Sequence, residues 1–444
     1  MSLEEIMPVE FLRKHVKDLA FILTLFIIFV VLSMRKAMMR SVYLVDFACY
    51  RPPRSQMCSR GSTMRTAHAS GLFSESTLDF MQKTMDRSGL GDCTYLPEGL
   101  LRVPTDMCMG EAMKEAQAVM FGAVEELLAK TGVDVSDIGI LVVNCSLFCP
   151  VPSLSAMIMN KFKLRHDLLT YNLQGMGCSC GLAVIGLVKH LLQVHGDSHA
   201  LVVSTENITQ NVYQGDDHSM ILINCVFRVG GAAILLSNRP SDRSTAKYEL
   251  VHTVHTHTTG SDRSYNCIFR MEDSAGCIGV NITRDLLAVA NTTIEANISA
   301  LGHLILPPWE KLRYTMNFLI RFFNLAKIKP YIPDFNTAID HVCSHVGGKP
   351  VLDALQKSLR LSEASSSSIW YELAYTEAKG RMKRGDRVWQ IAFGSGFKCS
   401  SVIWRAIKTV AGHEEKNPWA NEIDAYPVDL INEGPIPYHF ELSE

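Results

Sequence analysis

The chain has 444 residues, 47 % of them hydrophobic and 20 % charged, enough for one large or two medium folded domains. Its formal net charge of −2, with no long basic block beyond the N-terminal region, argues against a nucleic-acid partner. The thirteen cysteines follow no recurrent pairing and contain no C-x-x-C, which disfavours a zinc knuckle or a thioredoxin-like motif and fits reduced thiols facing the cytosol.

The first feature along the chain is the uncharged run Leu19–Met34, LAFILTLFIIFVVLSM. As a helix it spans about 24 Å against a hydrocarbon core of about 30 Å, a deficit that snorkelling by Lys17 and Arg35 can cover. A buried core helix is one rival, but the flanks RKHVKD and RKAMMR fit it poorly. A cleaved signal peptide is the other, and Arg35, Lys36 and Arg40 stand where a small-residue cleavage site should be. The run predicts an N-terminal transmembrane helix. The same basic residues, with Arg51 and Arg54, outnumber those on the N-terminal side and direct the bulk of the chain to the cytosol.

After the anchor, SVYLVDFACYRPP reads as a short strand ended by a proline pair, residues 70–87 as a polar helix, and GLGDCTYLPEGLLRVP as a loop. Met113, Ala116, Met120, Val124, Leu127 and Leu128 recur at helical spacing between Met109 and Lys130. DIGILVVNCS is a continuous apolar run of strand length, suited to burial on both faces. LTYNLQG then reads as strand, GLAVIGLVKHLLQVH as helix, and ALVVSTENIT and GGAAILLSN as strands. Near the C-terminus SIWYELAYTEAKGRMKRG reads as a helix ending at Gly385, RVWQIAFGSG as a strand, and SSVIWRAIKTV as a helix. Strand–helix–strand alternation implies a largely parallel sheet with covering helices, and its return suggests an internal duplication.

The most informative stretch is Gly175-Met-Gly-Cys-Ser-Cys-Gly181, between a predicted strand and a predicted helix. Three glycines around Cys178 permit a tight bend that presents its thiol at a helix N-terminus, where free amides and the dipole favour thiolate. Such a thiolate can attack a thioester and hold the acyl group. A packing turn with an incidental core cysteine explains the local pattern equally well. Cys180, two residues on, faces away from Cys178 in a helix and reads as core. Among fifteen histidines, two clusters stand out: His252, His255 and His257, and the pair His341 and His345. The pair's i, i+4 spacing puts both on one helix face, with His345 just before Gly347-Gly348, where a helix would end. A metal pair at that spacing lacks an evident third ligand.

At this point the segments VYLVDFACYRPP, SGLGDCTYLPEG, VMFGAVEELLAKTGV, DIGILVVNCSLF, PSLSAMI, YNLQGMGCSCGL and NCVFRVGGAAILLSNR, followed by SSSSIWYELAY, EAKGRMKRGDRVWQIAFGSGFKC and NPWANEIDAYPV, resemble plant 3-ketoacyl-CoA synthases of the fatty-acid elongase. The resemblance covers residues 41–430. It implies an α/β thiolase-like fold of two duplicated halves in a layered αβαβα arrangement, with a membrane anchor over 1–40. The first half, with Cys178, would occupy 41–327, the second, with His345, 328–430, and a tail 431–444. It also implies condensation of a long-chain acyl-CoA with malonyl-CoA to a 3-oxoacyl-CoA two carbons longer, with release of CO2 and CoA and no metal or redox cofactor. A homodimer at the endoplasmic reticulum membrane, working beside other elongase enzymes, is the implied setting.

Carried over by position, Cys178 matches the acyl-accepting nucleophile, and His345 the histidine that stabilises, with an Asn, the enolate formed from malonyl-CoA. His341 and His257 match other histidines at or near the family's active site. The sequence also departs from the pattern. A stretch ending in Phe-Gly-Asn-Thr, which carries the Asn and a further His, is absent between KSLRLSEA and Ser365–Ser368. Cys149 and Cys180 stand where the family favours Asn and Ala. A catalytically impaired relative serving as an elongase partner, and a polyketide-forming enzyme of the same fold, are the alternatives.

The anchor reading predicts that the protein resists alkaline carbonate extraction from microsomes. The sequons at Asn281, Asn291 and Asn297 stay unglycosylated if the chain after Arg35 is cytosolic. Release by carbonate, or glycosylation at these sites, would refute that topology.

Overall fold

The protein is described by a computed structural model covering residues 16, 18, 20–27, 40–345, 369–412, 416–420 and 422–425. The chain divides into two compact units, Met1–Ser41 and Val42–Glu444. In the first, residues 20–27 are helical, with Phe21, Ile22, Leu23, Leu25, Phe26 and Ile27 exposed. Among the described residues no helix is long and apolar enough to cross a membrane. The rest of the run Leu19–Met34 lies outside them, as does the tail 431–444.

The second unit is built on a nine-stranded sheet that repeats one strand scheme. Strands β1 (Tyr43–Cys49), β2 (Ile138–Asn144), β3 (Leu169–Leu173), β4 (His199–Thr205) and β5 (Gly231–Ser237) stand in the order β3-β2-β4-β5-β1. Here β2 runs parallel to β3 and β4, whereas β5 runs antiparallel to β4 and β1. Strands β6 (Tyr248–His257), β7 (His341–Ser344), β8 (Arg387–Gly394) and β9 (Lys398–Ala406) stand in the order β7-β8-β9-β6. Again β7 is parallel to β8, and β9 is antiparallel to β8 and β6. Thus β6, β7, β8 and β9 repeat β1, β2, β4 and β5. No counterpart of β3 stands among the described strands. Residues 346–368 lie outside the described residues.

Among the described residues of this unit nine helices complete the fold: α1 (Arg60–Ser70), α2 (Glu75–Arg87), α3 (Met109–Thr131), α4 (Leu154–Phe162), α5 (Cys180–Val194), α6 (His218–Val226), α7 (Leu286–Ile305), α8 (Pro308–Phe322) and α9 (Ile369–Ala378), besides a single turn at Asp262–Tyr265. In β2 the even-numbered Ile140 and Val142 pack with Leu182, Val184 and Ile185 of α5, and the odd-numbered Leu141 and Val143 with Ala116, Met120 and Val124 of α3. A strand buried on both faces has no polar alternation to show, which is why its sequence is uniformly apolar. Helices α5 and α9 share one cluster with both strand sets, α3 and α4 cover the far face of the first, and α7 the far face of the second. The result is the layered αβαβα arrangement.

Three expectations need correction. The segment SSVIWRAIKTV forms β9 instead of a helix. Val402 and Trp404 enter the cluster shared with α5, and Cys399 and Ile403 the cluster under α7, so a strand with two buried faces mimicked a buried helix. The segment around His341 is likewise a strand, β7, so His341 and His345 do not share a helix face. The repeat also begins at β6, near Tyr248, well before residue 328. Asn297 is fully buried in α7, which leaves Asn281 and Asn291 as the usable glycosylation reporters.

The halves join where β1 meets β6, through only two facing pairs, Tyr43 with Glu249 and Leu44 with Tyr248. Beside this short seam the ammonium of Lys247, 1 % exposed, lies 3.1 Å from Asp46 and 3.0 Å from Glu377 of α9. The Tyr248 hydroxyl donates to Glu377 at 2.7 Å. Removing one member of a buried ion cluster strands the others, at a cost of about 3–5 kcal/mol. Lys247→Met is therefore expected to destabilise the fold by about that amount in denaturant melts, and Lys247→Met with Glu377→Leu by clearly less. Equal losses for the two variants would refute a charge-pairing role.

Candidate active site

Parallel strands end with their carbonyl edges on one side, and the loops that follow them converge there. β2 runs into Ser146 and Leu147, β3 into Gly175–Cys178, and β4 into Glu206; in the second half β7 runs into His345, and β8 through Gly394 into Ser395 and Gly396. All of these residues except Met176 line one cavity of about 560 Å³. Its remaining wall is largely apolar: Leu72, Phe73 and Met81 from the first helical region, Ile223 and Phe227 around the end of α6, and Ile268, Phe269, Val280 and Ile282 from the hairpin Ile268–Glu272/Ile278–Ile282.

The Cys178 turn is fixed by its own backbone. The Gly175 N–H donates to Ser146 O at 3.0 Å, and the Cys180 N–H to Gly177 O at 3.0 Å. Gly177 has φ +69°, and a Cβ there would lie 2.6 Å from Ser395 Oγ. In return, a Cβ on Gly394 would lie 2.6 Å from the Cys178 nitrogen. Two loops, one from each half, thus touch backbone to backbone, and only glycine permits the approach. Lys398 Nζ caps the turn from the side, donating to Met176 O at 3.4 Å.

Cys178 opens onto the cavity with protein packed behind it. Burial first, and the nearby Glu206 second, push its thiol up to about 12. This corrects the expectation of thiolate character: the helix N-terminus favours the anion, but desolvation outweighs that pull. His345 continues the β7–β8 pairing through its N–H, which donates to Ile391 O at 2.8 Å. Its ring packs edge-on to Phe393, with 5.6 Å between centroids. Burial pushes the imidazole down to about 4, so it is neutral at physiological pH. The resting pair is therefore thiol and imidazole, with neither group charged.

The structure brings Cys178 and His345 to one cavity and leaves the other two histidines outside it. His341 turns to Asp386, with its Nε2 2.9 Å from the carboxylate. His257, at the end of β6 opposite Lys398, is exposed and absent from the cavity wall. Cys180 is buried against Met176, with 3.8 Å between sulfurs, and exposed Cys149 contacts Gln174. Sequence reasoning missed Glu206. Its carboxylate accepts from the backbone N–H groups of Ser146 and Leu147, and burial pushes it up against the pull of those donors. An acid directly after the apolar run ALVVST was the available signal.

A neutral resting thiol has a measurable signature. Alkylation of Cys178 by iodoacetamide, followed by peptide mass spectrometry, should rise about tenfold per pH unit from about pH 7 to about 9.5 without levelling, because only thiolate reacts. Exposed Cys93, Cys108 and Cys149 serve as internal references. A plateau below about pH 8 would reveal a preformed thiolate and refute the assignment.

The chain is similar to known proteins over most of its length. Residues 33–323 match the family described as FAE1/Type III polyketide synthase-like protein. The chain is 54 % identical over 419 residues to 3-ketoacyl-CoA synthase 2 of Arabidopsis thaliana, covering 89 % of this chain and 79 % of that one. It is 48 % identical over 416 residues to the probable 3-ketoacyl-CoA synthase 20 of Oryza sativa subsp. japonica, covering 89 % and 80 %. Among solved structures, the C-terminal type III polyketide synthase domain of Steely1 from Dictyostelium superposes with a TM-score of 0.61 at 16 % identity, over 83 % of this chain and 99 % of that one. PKS-I from the brown alga Ectocarpus siliculosus gives a TM-score of 0.61 at 16 % identity, over 83 % and 99 %. At such identity these two likenesses establish the fold alone.

Proposed function

The chain belongs to the 3-ketoacyl-CoA synthase family, and from that premise we propose that it condenses a long-chain or very-long-chain acyl-CoA with malonyl-CoA through an acyl group carried on Cys178. The observation that carries this reading is the meeting of Cys178 from one half and His345 from the other on a single apolar cavity. An acyl chain suits that wall, and neither step of the reaction calls for a metal or a redox cofactor.

In the first half-reaction Cys178 Sγ attacks the thioester carbonyl, the carbon–sulfur bond to CoA breaks, and the thiol proton passes by way of neutral His345 to the departing CoA thiolate. In the second, malonyl-CoA loses CO2, and the charge that develops on its thioester oxygen takes a hydrogen bond from the same neutral ring. The carbanion then attacks the acyl-Cys178 carbonyl, and Cys178 leaves as a thiolate that takes a proton from solvent, replacing the one that departed with CoA. A neutral ring suits the second step, where it donates a hydrogen bond to the developing enolate oxygen, while its lowered basicity makes proton acceptance from the thiol the costly part of the first. The anchor and cytosolic orientation, which rest on the apolar run Leu19–Met34 and its basic flank, and the endoplasmic reticulum setting, homodimeric state and elongase partners, which rest on the sequence resemblance, belong to the same proposal. His341 and His257, outside the cavity, act at most by positioning.

The missing Asn segment separates the two half-reactions. Acylation uses the thiol, His345 and the loop amides, whereas enolate stabilisation loses one donor, at about 10²–10³ in rate. The protein is thus expected to take labelled acyl from acyl-CoA onto the Cys178 peptide yet to form 3-oxoacyl-CoA from malonyl-CoA very poorly. Cys178→Ala abolishes labelling and Cys180→Ala does not. Label on Cys180 alone overturns the nucleophile, and robust elongation by this chain shows that another group replaces the Asn.

A further inference from the structure

Helix α8 is attached by its polar side. Glu310, 2 % exposed, accepts from the Tyr331 hydroxyl at 2.7 Å and from the Asp334 N–H at 3.1 Å. Asn317 receives the Tyr331 N–H at 3.0 Å and donates to Lys329 O at 3.0 Å. These bonds strap residues 329–334 along one flank of the helix. On the opposite flank Trp309, Leu312, Met316, Leu319 and Phe323 follow one another at helical spacing, exposed by 57, 62, 54, 42 and 62 %. A surface helix normally turns such a stripe inward and its polar face outward. Here the order is reversed, and Phe318, Phe322 and Phe323 find ring partners only in one another among the described contacts.

Charge identifies what covers the stripe. Lys311 and Arg313 flank it, and Arg321, Lys327 and Lys329 follow, while Glu310, buried and hydrogen-bonded, is the one acid between Pro308 and Lys329. We propose that this face of α8 lies on a lipid bilayer whose headgroups are anionic, its apolar stripe among the acyl chains and its cations at the phosphate level. The helix, about 22 Å long, is too short to span the bilayer and has the amphipathic form of one that lies in the interface plane. A second copy of this chain fits less well, because a two-fold contact through α8 sets the same cations against one another. The contact is separate from the reaction. Leu286, at the start of α7, lines the cavity, and the 20 residues of α7 carry the chain about 30 Å away before α8 begins.

The full-length protein carries its own probe. Trp370, Trp389 and Trp404 are buried and Trp419 is half-buried, so Trp309 is the exposed tryptophan. The protein is placed in phosphatidylserine-containing vesicles with brominated phospholipids, and quenching of tryptophan fluorescence is read, which reports the depth of Trp309 whatever residues 1–40 do. Quenching is expected in the parent chain and absent in Trp309→Phe. It is lost in Leu312→Asp/Leu319→Asp and reduced in Lys327→Glu/Lys329→Glu, both with unchanged thermal unfolding, and it weakens in phosphatidylcholine alone. Should the Leu pair unfold, the Lys pair, which leaves the stripe intact, carries the test. Quenching that ignores every variant, or is equal in neutral vesicles, overturns the proposal. So does an unquenched Trp309 in a protein whose oligomeric mass falls with Leu312→Asp/Leu319→Asp, which would assign the face to a second copy.

Discussion

A lysine ammonium enclosed between two halves of a protein adds directional contacts to the apolar core those halves share. β1 and β6 share only two facing residue pairs, too little backbone to fix the halves alone. Lys247, its carboxylates on β1 and α9, and the Tyr248 hydroxyl supply directional contacts at that joint. The tolerance is small, because the loops that approach at Gly177 and Gly394 leave no room for a single Cβ. A shift of the halves by an ångström would open or crush the turn that presents Cys178. Charge pairing deep in the fold and the placement of a thiol on its surface are thus parts of one mechanical problem.

Much of the fold could be read along the chain because its strand–helix alternation is local. The runs at Ile138–Asn144, His199–Thr205 and Gly231–Ser237 were legible as strands, and so was the helix after Cys178. The reading failed where burial on two faces erases periodicity. Lys398–Ala406 contributes alternate residues to two different cores, a pattern that no window of sequence separates from a buried helix. The i, i+4 histidines misled for the opposite reason: residues four apart also share a side of a strand, so that spacing does not discriminate strand from helix.

At the site, sequence could nominate Cys178 and His345 but not join them, since 166 positions intervene and only the folded sheet brings their strand ends together. Glu206 stayed hidden because one carboxylate after an apolar strand is unremarkable until the amides of Ser146 and Leu147 are seen to converge on it. Environment was harder still to foresee. A helix N-terminus suggested an acidic thiol, yet desolvation on the packed side of the cavity raises the Cys178 thiol and lowers the His345 imidazole.

That neutrality bears on how the enzyme survives between turnovers. Peroxide and disulfide attack proceed through thiolate, so a nucleophile kept protonated until substrate arrives is a poor target for oxidation to sulfenic acid. Cys180, the thiol two residues away, is buried against Met176 and unsuited to trap it as a disulfide. On the proposed role of Cys178, the same packing that would line an acyl pocket would also keep the waiting thiol protonated and so slow its oxidation.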